Sequence, residues 1–228
     1  MDTPSILFKN RSSINSMFEV QDWGLLDYEQ ALEKQLQLVE KVSKENLTGI
    51  LAITTHNPIV TLGRKTQTGD VFAWEGPVKE IARGGRATYH GPSQLVVYPI
   101  INLAKLSTPN DIGWYMRKLE DSIVATLAEY KITARGNNTN DPENTGVWVN
   151  DKKIASLGVG VKSTPEKTWV TYHGAAINLD YDPKAFVGMN PCGLSSSVMT
   201  SLEQVLGHKV DRAEFTKKLI GNINFRIK

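Results

Sequence analysis

Cysteine is almost missing from this sequence. A single residue, Cys192, occurs among 228, so no internal disulfide can form and an oxidised, disulfide-stapled scaffold is excluded. Long apolar runs are missing too: none approaches the roughly 18 residues that a membrane-crossing helix needs. The opening stretch, MDTPSILFKNRSS, has no apolar core followed by a small-residue cleavage site, so it does not read as a secretory signal. It is also less arginine-rich than a mitochondrial presequence, and a bacterial-type cytoplasm is the expected location. A surplus of one charge is absent as well. Lys plus Arg is 26 against 24 for Asp plus Glu, a net charge of +2, and no basic stripe invites nucleic acid. A small basic patch for an acidic protein partner stays open. The four histidines, His56, His90, His173 and His208, include no pair at i and i+4, so no metal site is expected.

Hydrophobic residues make up 40% and charged residues 22%, ordinary for a folded chain, and the length suffices to bury a sizeable core. No repeat or low-complexity run divides the chain, and residues 1–228 read as one catalytic domain. The polar stretch from Asn137 to Asn144 is the one tempting boundary, too short to make two domains.

Apolar residues from Trp23 to Asn46 recur near helical spacing and predict a long amphipathic helix. Gly49 to Thr55 is short, apolar and β-branched, which suits a buried strand, and Ile59 to Leu62 predicts another, closed by Gly63. Two further strands, Ala87 to His90 and Leu95 to Ile101, flank the turn cluster Gly91-Pro92-Ser93. Asp111 is placed to cap a second helix running to about Tyr130. Asn150-Asp151 marks the turn of a hairpin, and the polar run Lys162 to Lys167 marks a second, with a strand resuming at Trp169. Short helices are expected at Ser201 to Leu206 and Arg212 to Asn222. Irregular mixing of hairpins and helices predicts an α+β fold, a mixed β-sheet with flanking helices and not a doubly wound parallel sheet.

Three features carry chemistry. Cys192 lies in Asn190-Pro191-Cys192-Gly193-Leu194, where a loop cysteine beside glycine leaves room for a substrate. A buried, inert thiol is the plain alternative. Lys153 leads the apolar run Ile154-Ala155-Ser156-Leu157-Gly158. On a strand it points to the face opposite Lys152, into a cleft where it can hold a thiolate or act as base, or else simply into solvent. Two Tyr-His-Gly triplets, at His90 and His173, are either functional or satisfied strand-end histidines. Arg83-Gly84-Gly85 permits close backbone approach to a ligand. It is neither a Walker loop nor a dinucleotide fingerprint.

Five motifs in order resemble the lipoyl(octanoyl) transferase family: Thr61-Leu62-Gly63-Arg64, the run from Arg83 to Pro92, Lys153 to Gly158, His173 to Asn178, and Asn190 to Leu194. The resemblance covers roughly Thr61 to Leu202. It implies a fold like that of biotin and lipoate protein ligases, and an enzyme that moves octanoyl from acyl carrier protein to a lysine of a lipoyl domain without ATP or other cofactor. The acceptors so implied are apo lipoyl domains of 2-oxoacid dehydrogenase E2 subunits and the glycine cleavage H protein. The family's acyl-carrying cysteine falls on Cys192 and its cysteine-activating lysine on Lys153. Its substrate-contacting segments fall on Arg83, Gly84, Gly85, Arg86, Ala87, Thr88, Tyr89 and His90, on Ser156, Leu157 and Gly158, and on Gly174, Ala175 and Ala176. An octanoyl slot walled by Tyr89, Leu157 and Ala176 is expected. An oxyanion would be met by backbone N–H groups near Cys192 or in a Ser156-Leu157-Gly158 turn.

The chain departs from the family pattern at three places. Ser93 precedes Gln94 where Gly is usual, Arg86 stands where Gln is common, and the Lys162 to Lys167 turn is longer. Two rivals follow from the same residues: an ATP-dependent ligase of related fold, and a non-catalytic module that only holds carrier proteins.

Overall fold

The strand Gly49–Thr55 (β2) is buried on both faces along nearly its whole length, which is why its sequence is continuously apolar and not alternating. Ile50 and Ala52 point to one face of the sheet, Leu51 and Ile53 to the other. The computed structural model describes residues 17–137 and 145–228. The opening stretch read above and most of the polar 137–144 loop lie outside the described residues.

Two sheets organise the chain. The larger has six strands in the order β1-β2-β6-β9-β8-β7. They are Glu19–Leu25 (β1), β2, Gln94–Ile101 (β6), Trp169–Asn178 (β9), Lys152–Ser163 (β8) and Val147–Val149 (β7). Only β1 and β2 run parallel in it. The smaller sheet is β4-β3-β5, with Ile59–Leu62 (β3) parallel to Val78–Glu80 (β4) and antiparallel to Thr88–His90 (β5).

The helix Tyr28–Lys44 (α1) covers one face of the large sheet. Ala31, Gln35, Val39 and Val42, spaced four and three apart, form its buried stripe. Ile112–Ala128 (α2) and Arg212–Arg226 (α4) pack together on the other face, burying Tyr115, Leu119 and Ile123 against Phe215, Leu219 and Ile223. A short helix, Leu202–Leu206 (α3), opens on a reciprocal capping box between Ser201 and Gln204. Asp111 caps α2 as its position predicts, its carboxylate accepting from Trp114 N at 2.7 Å.

The mixed sheet with flanking helices agrees with the sequence reading, and so do both hairpins. Asn150 and Asp151 have φ of 48° and 60°, the left-handed pair that a tight two-residue turn requires. Three expectations need correction. The first helix does not begin at Trp23: that residue lies within β1, which is irregular at Gly24 (φ 60°) and runs to Leu25 before the helix starts at Tyr28. As a mostly exposed edge strand, β1 shows no alternation to distinguish it from helical spacing. The strands either side of Gly91-Pro92-Ser93 pass into different sheets. Strand β4 was not foreseen, because only Lys79 of its three residues is even half-buried. Among the described residues no helix is long and apolar enough to cross a membrane.

Candidate active site

Cys192 sits in a single 3-10 turn, Pro191–Gly193, half-buried and at φ 56°, ψ 25°. Non-glycine residues rarely adopt that left-handed conformation, which costs on the order of 1–3 kcal/mol and persists only where the surroundings fix it. Here they do. The Cys192 N–H donates to Ala87 O at 2.8 Å, and the Asn190 N–H donates to Asp70 O at 2.8 Å. Asn190 Nδ2 reaches Gly69 O at 3.1 Å, and Val71 bridges to Met189. Asp70 itself is buried and ion-paired with Arg86, whose Nε donates to Oδ2 at 3.0 Å. Burial alone would raise the Asp70 pKa. Hydrogen bonds from Arg86 and from the Gln67 and Ala87 backbone hold it below its ordinary value instead.

Two cavities meet at this cysteine. Gly85, Leu157, Gly158 and Cys192 line both. The wide one, about 730 Å³, opens between Arg64, Lys65 and Arg86 on one side and Ile112, Met116 and Val159 on the other. The narrow one, about 30 Å³, runs inward past Arg83, Thr88 and His90 to Tyr28, Tyr98 and His173, with Val96, Ala175 and Ala176 as apolar walls.

Glycines make the narrow cleft possible. Gly158 and Gly174 face each other across β8 and β9. A Cβ on Gly158 would approach Arg83 Cδ to 2.9 Å, and one on Gly174 would run into Val97 O.

The inner end of the cleft is polar and uncharged. His56 bonds Tyr98 Oη at 2.7 Å and the Leu26 carbonyl at 2.7 Å, while Tyr28 Oη lies 3.4 Å from His173 Nδ1. Burial depresses all three histidines, His56 and His90 below their ordinary value and His173 to about 3. They are neutral at pH 7, and the same burial raises Tyr28 and Tyr98. Among the described residues, Arg83 is the one permanently charged side chain lining the cleft. It is 5% exposed, with Nη1 bonded to Gly84 O at 2.9 Å and Nη2 to Thr61 O and Oγ1, each at 3.0 Å.

Lys153 is fully buried and Lys152 exposed, as the strand alternation predicts. The Lys153 ammonium lies over the Trp148 ring, 5.5 Å from its centroid, and has no hydrogen-bond partner among the described residues. Nζ packs 3.2 Å from where a Cβ on Gly146 would sit. The next residue back, Thr145, lines the wide cavity with Cys192. The carboxylate of Glu120, buried on α2, accepts from Gly146 N at 2.8 Å and Asn137 N at 3.1 Å. Burial raises the Glu120 pKa, and these bonds and the Lys153 charge oppose the rise.

Of the residues singled out in the sequence, Arg83, Gly85, Thr88, His90, Ser156, Leu157, Gly158, Gly174, Ala175, Ala176 and Cys192 line the narrow cleft. Gly84 and Arg86 line the wide cavity. Ala87 and Tyr89 line neither: they alternate to the other face of β5 and pack with Val60, Phe186 and Met189. The expected Tyr89 wall is therefore replaced by Val96 and Ala175. Ser156, Leu157 and Gly158 form no turn but lie within β8. Nor are the backbone donors around the cysteine free, since the N–H groups of Cys192, Gly193 and Leu194 bond Ala87 O, Asn190 O and Pro191 O. Thr61, which opens the first of the five motifs, holds Arg83, and His56, noted only as one of four histidines, bonds Tyr98. Sequence reasoning missed Tyr28, Asp70, Tyr98 and Glu120, each isolated in sequence from any motif partner. Among the described residues no cluster of three or more metal-ligating side chains occurs.

Comparison with known proteins agrees with the geometry. Residues 27–224 match the family described as Lipoyl protein ligase A/B catalytic domain. An octanoyltransferase of Bdellovibrio bacteriovorus is 56% identical over 87% of this chain and 94% of its own. Among solved structures, a lipoate-protein ligase A bound with ATP superposes with a TM-score of 0.68 at 16% identity, covering 92% of this chain and 85% of that one. The biotin protein ligase of Aquifex aeolicus in complex with biotin and ATP gives 0.53 at 15% identity, over 91% and 69%. These two speak for the fold alone, whereas the family match and the close relative speak for descent. The chain belongs to the Lipoyl protein ligase A/B catalytic domain family and, within it, to the octanoyltransferases.

Proposed function

We propose that this chain is one catalytic domain that transfers octanoyl from acyl carrier protein to a lysine of apo lipoyl domains, through a thioester on Cys192. The acceptors are lipoyl domains of 2-oxoacid dehydrogenase E2 subunits and of the glycine cleavage H protein, and the reaction takes place in the cytoplasm. The observation that carries the reading is the lone thiol, fixed in a left-handed turn where an open cavity meets an enclosed one. A macromolecular donor or acceptor reaches Cys192 through the wide cavity, while the acyl chain leaves bulk water.

A thioester donor is already activated, so the exchange consumes no ATP. The Cys192 thiolate adds to the octanoyl carbonyl carbon, and the tetrahedral adduct expels the carrier's thiol. The amine of the lipoyl-domain lysine then adds to octanoyl-Cys192, forms the amide and releases the cysteine. That amine must lose a proton. Lys153, buried and without a hydrogen-bond partner, supports two roles in turn. Charged, it balances the thiolate. Once acylation removes that negative charge, it becomes the base toward the incoming amine. The chain lies against Val96, Leu157, Ala175 and Ala176. At about 30 Å³ the cleft holds little more than water, so its walls must part as the chain enters.

The test is to incubate the protein with octanoyl-carrier protein and apo lipoyl domain, ATP omitted, and to weigh the lipoyl domain. A gain of one octanoyl group is expected. Modification only when ATP and free octanoate are supplied would make the chain a ligase.

A further inference from the structure

We propose that Arg83, through its Nε–H, is the donor that meets the acyl carbonyl oxygen as it becomes an oxyanion at Cys192, a reading that rests on the acyl-Cys192 intermediate above. Four observations carry it. First, Arg83 is 5% exposed, yet among the described residues no carboxylate pairs with it. A buried charge without a counter-ion costs several kcal/mol, so keeping one calls for a ligand that supplies the opposite charge. Second, Nη1 and Nη2 are fastened to Gly84 and Thr61, while Nε has no partner. Buried donors are as a rule satisfied, and this one is held in place and left free. Third, Arg83 lines the narrow cleft with Cys192. Fourth, the backbone N–H groups of Cys192, Gly193 and Leu194 already have acceptors.

Two cations then divide the work. When the Cys192 sulfur bonds to the carbonyl carbon, the C=O π pair moves onto oxygen, which accepts the hydrogen bond from Arg83 Nε. The adduct collapses, the C=O re-forms, and the bond to the carrier sulfur breaks with its electron pair. The departing thiolate takes its proton from the Lys153 ammonium, which leaves Lys153 neutral for the second half-reaction. Arg83 exchanges no proton, as suits a group that stays charged at any working pH.

Two rates on the same protein test this: acylation of Cys192 by octanoyl-pantetheine, and its alkylation by iodoacetamide, a displacement that forms no oxyanion. Arg83→Gln is expected to acylate about 10²–10³-fold more slowly, the cost of one oxyanion donor, while alkylation stays near the wild-type rate. Arg83→Lys keeps a cation but has no N–H at that place. It should show the same split, and it carries the test where the glutamine variant fails to fold. Acylation unchanged in either variant, or both rates falling in step, would overturn the assignment, since a merely structural arginine affects the cysteine loop for both reagents alike. Wild type that alkylates but takes up no octanoyl would instead sink the acyl-Cys192 reading and the oxyanion role with it.

Discussion

The backbone N–H of Cys192 donates to the carbonyl oxygen of Ala87 at 2.8 Å, joining the cysteine turn to the Arg83–His90 segment. Two motifs about a hundred residues apart are thereby locked in register, and the reacting sulfur is placed by the same segment that lines the cleft. Ala87 serves through this carbonyl, with its side chain turned into the small apolar cluster.

Lys153→Met should lower octanoyl transfer by about 10²–10⁴-fold, the usual range for losing a general base. Its melting temperature should hold or rise, because an ammonium without a hydrogen-bond partner is removed from a buried site. Steady-state transfer assays beside thermal denaturation check both halves. A parallel fall in activity and stability would mean that Lys153 is structural.

Gly146→Ala tests the same site from the neighbouring chain. Gly146 has φ 144°, and a Cβ there would press on Lys153 Cε, approach Nζ to 3.2 Å and meet the Ala155 carbonyl oxygen at 2.6 Å, so some loss of stability comes with it. We expect strong loss of transfer with Cys192 still open to alkylation. Gly174→Ala should act mainly on the fold, since its Cβ would run into Val97 O, a rigid backbone atom, in a clash that does not involve Lys153. Overpacking of this kind costs about 1–3 kcal/mol, readable in a denaturant titration.

Acid should weaken the fold through the buried histidines. The folded pKa of His173 is pushed down to about 3, while the unfolded chain keeps the ordinary value of about 6.5. Between those values the unfolded state binds more protons, so stability falls as pH drops below about 6.5 and is undiminished above it. At pH 5 one such histidine accounts for at most about 2 kcal/mol, from 1.36 kcal/mol per pH unit. Urea midpoints at pH 7 and pH 5 should differ accordingly, and His173→Gln should narrow the difference. Asp70 works in the same direction but lower. Its folded pKa is depressed, so the stability it contributes is present above the ordinary carboxylate pKa and is lost as pH falls through the folded value.

Much of the fold was legible in the sequence where one chemical pattern permitted one structure. Strand β2 announced itself by its unbroken apolar run, and the Asn150-Asp151 turn by residues that tolerate positive φ. The Asp111 cap was readable because a short acidic side chain preceded a helical stripe. Strand β1 was not readable: mostly exposed and set at a sheet edge, it carries no period-two signal. The cleft itself was half legible. Motifs pointed to its near walls, but the His56–Tyr98 bond joins residues 42 apart, and no local spacing encodes it. Glu120 was hidden for the same reason, as a helical carboxylate reads as solvent-exposed until the fold turns it toward Gly146.

Intact-protein mass measurement after mixing with octanoyl-carrier protein, ATP omitted, bears most directly on the central claim. Wild type should gain one octanoyl group, lose it to hydroxylamine and pass it to apo lipoyl domain. Cys192→Ala should gain nothing. Octanoyl transfer that proceeds at the wild-type rate in Cys192→Ala would contradict the account, since the acyl group would then never have rested on the cysteine.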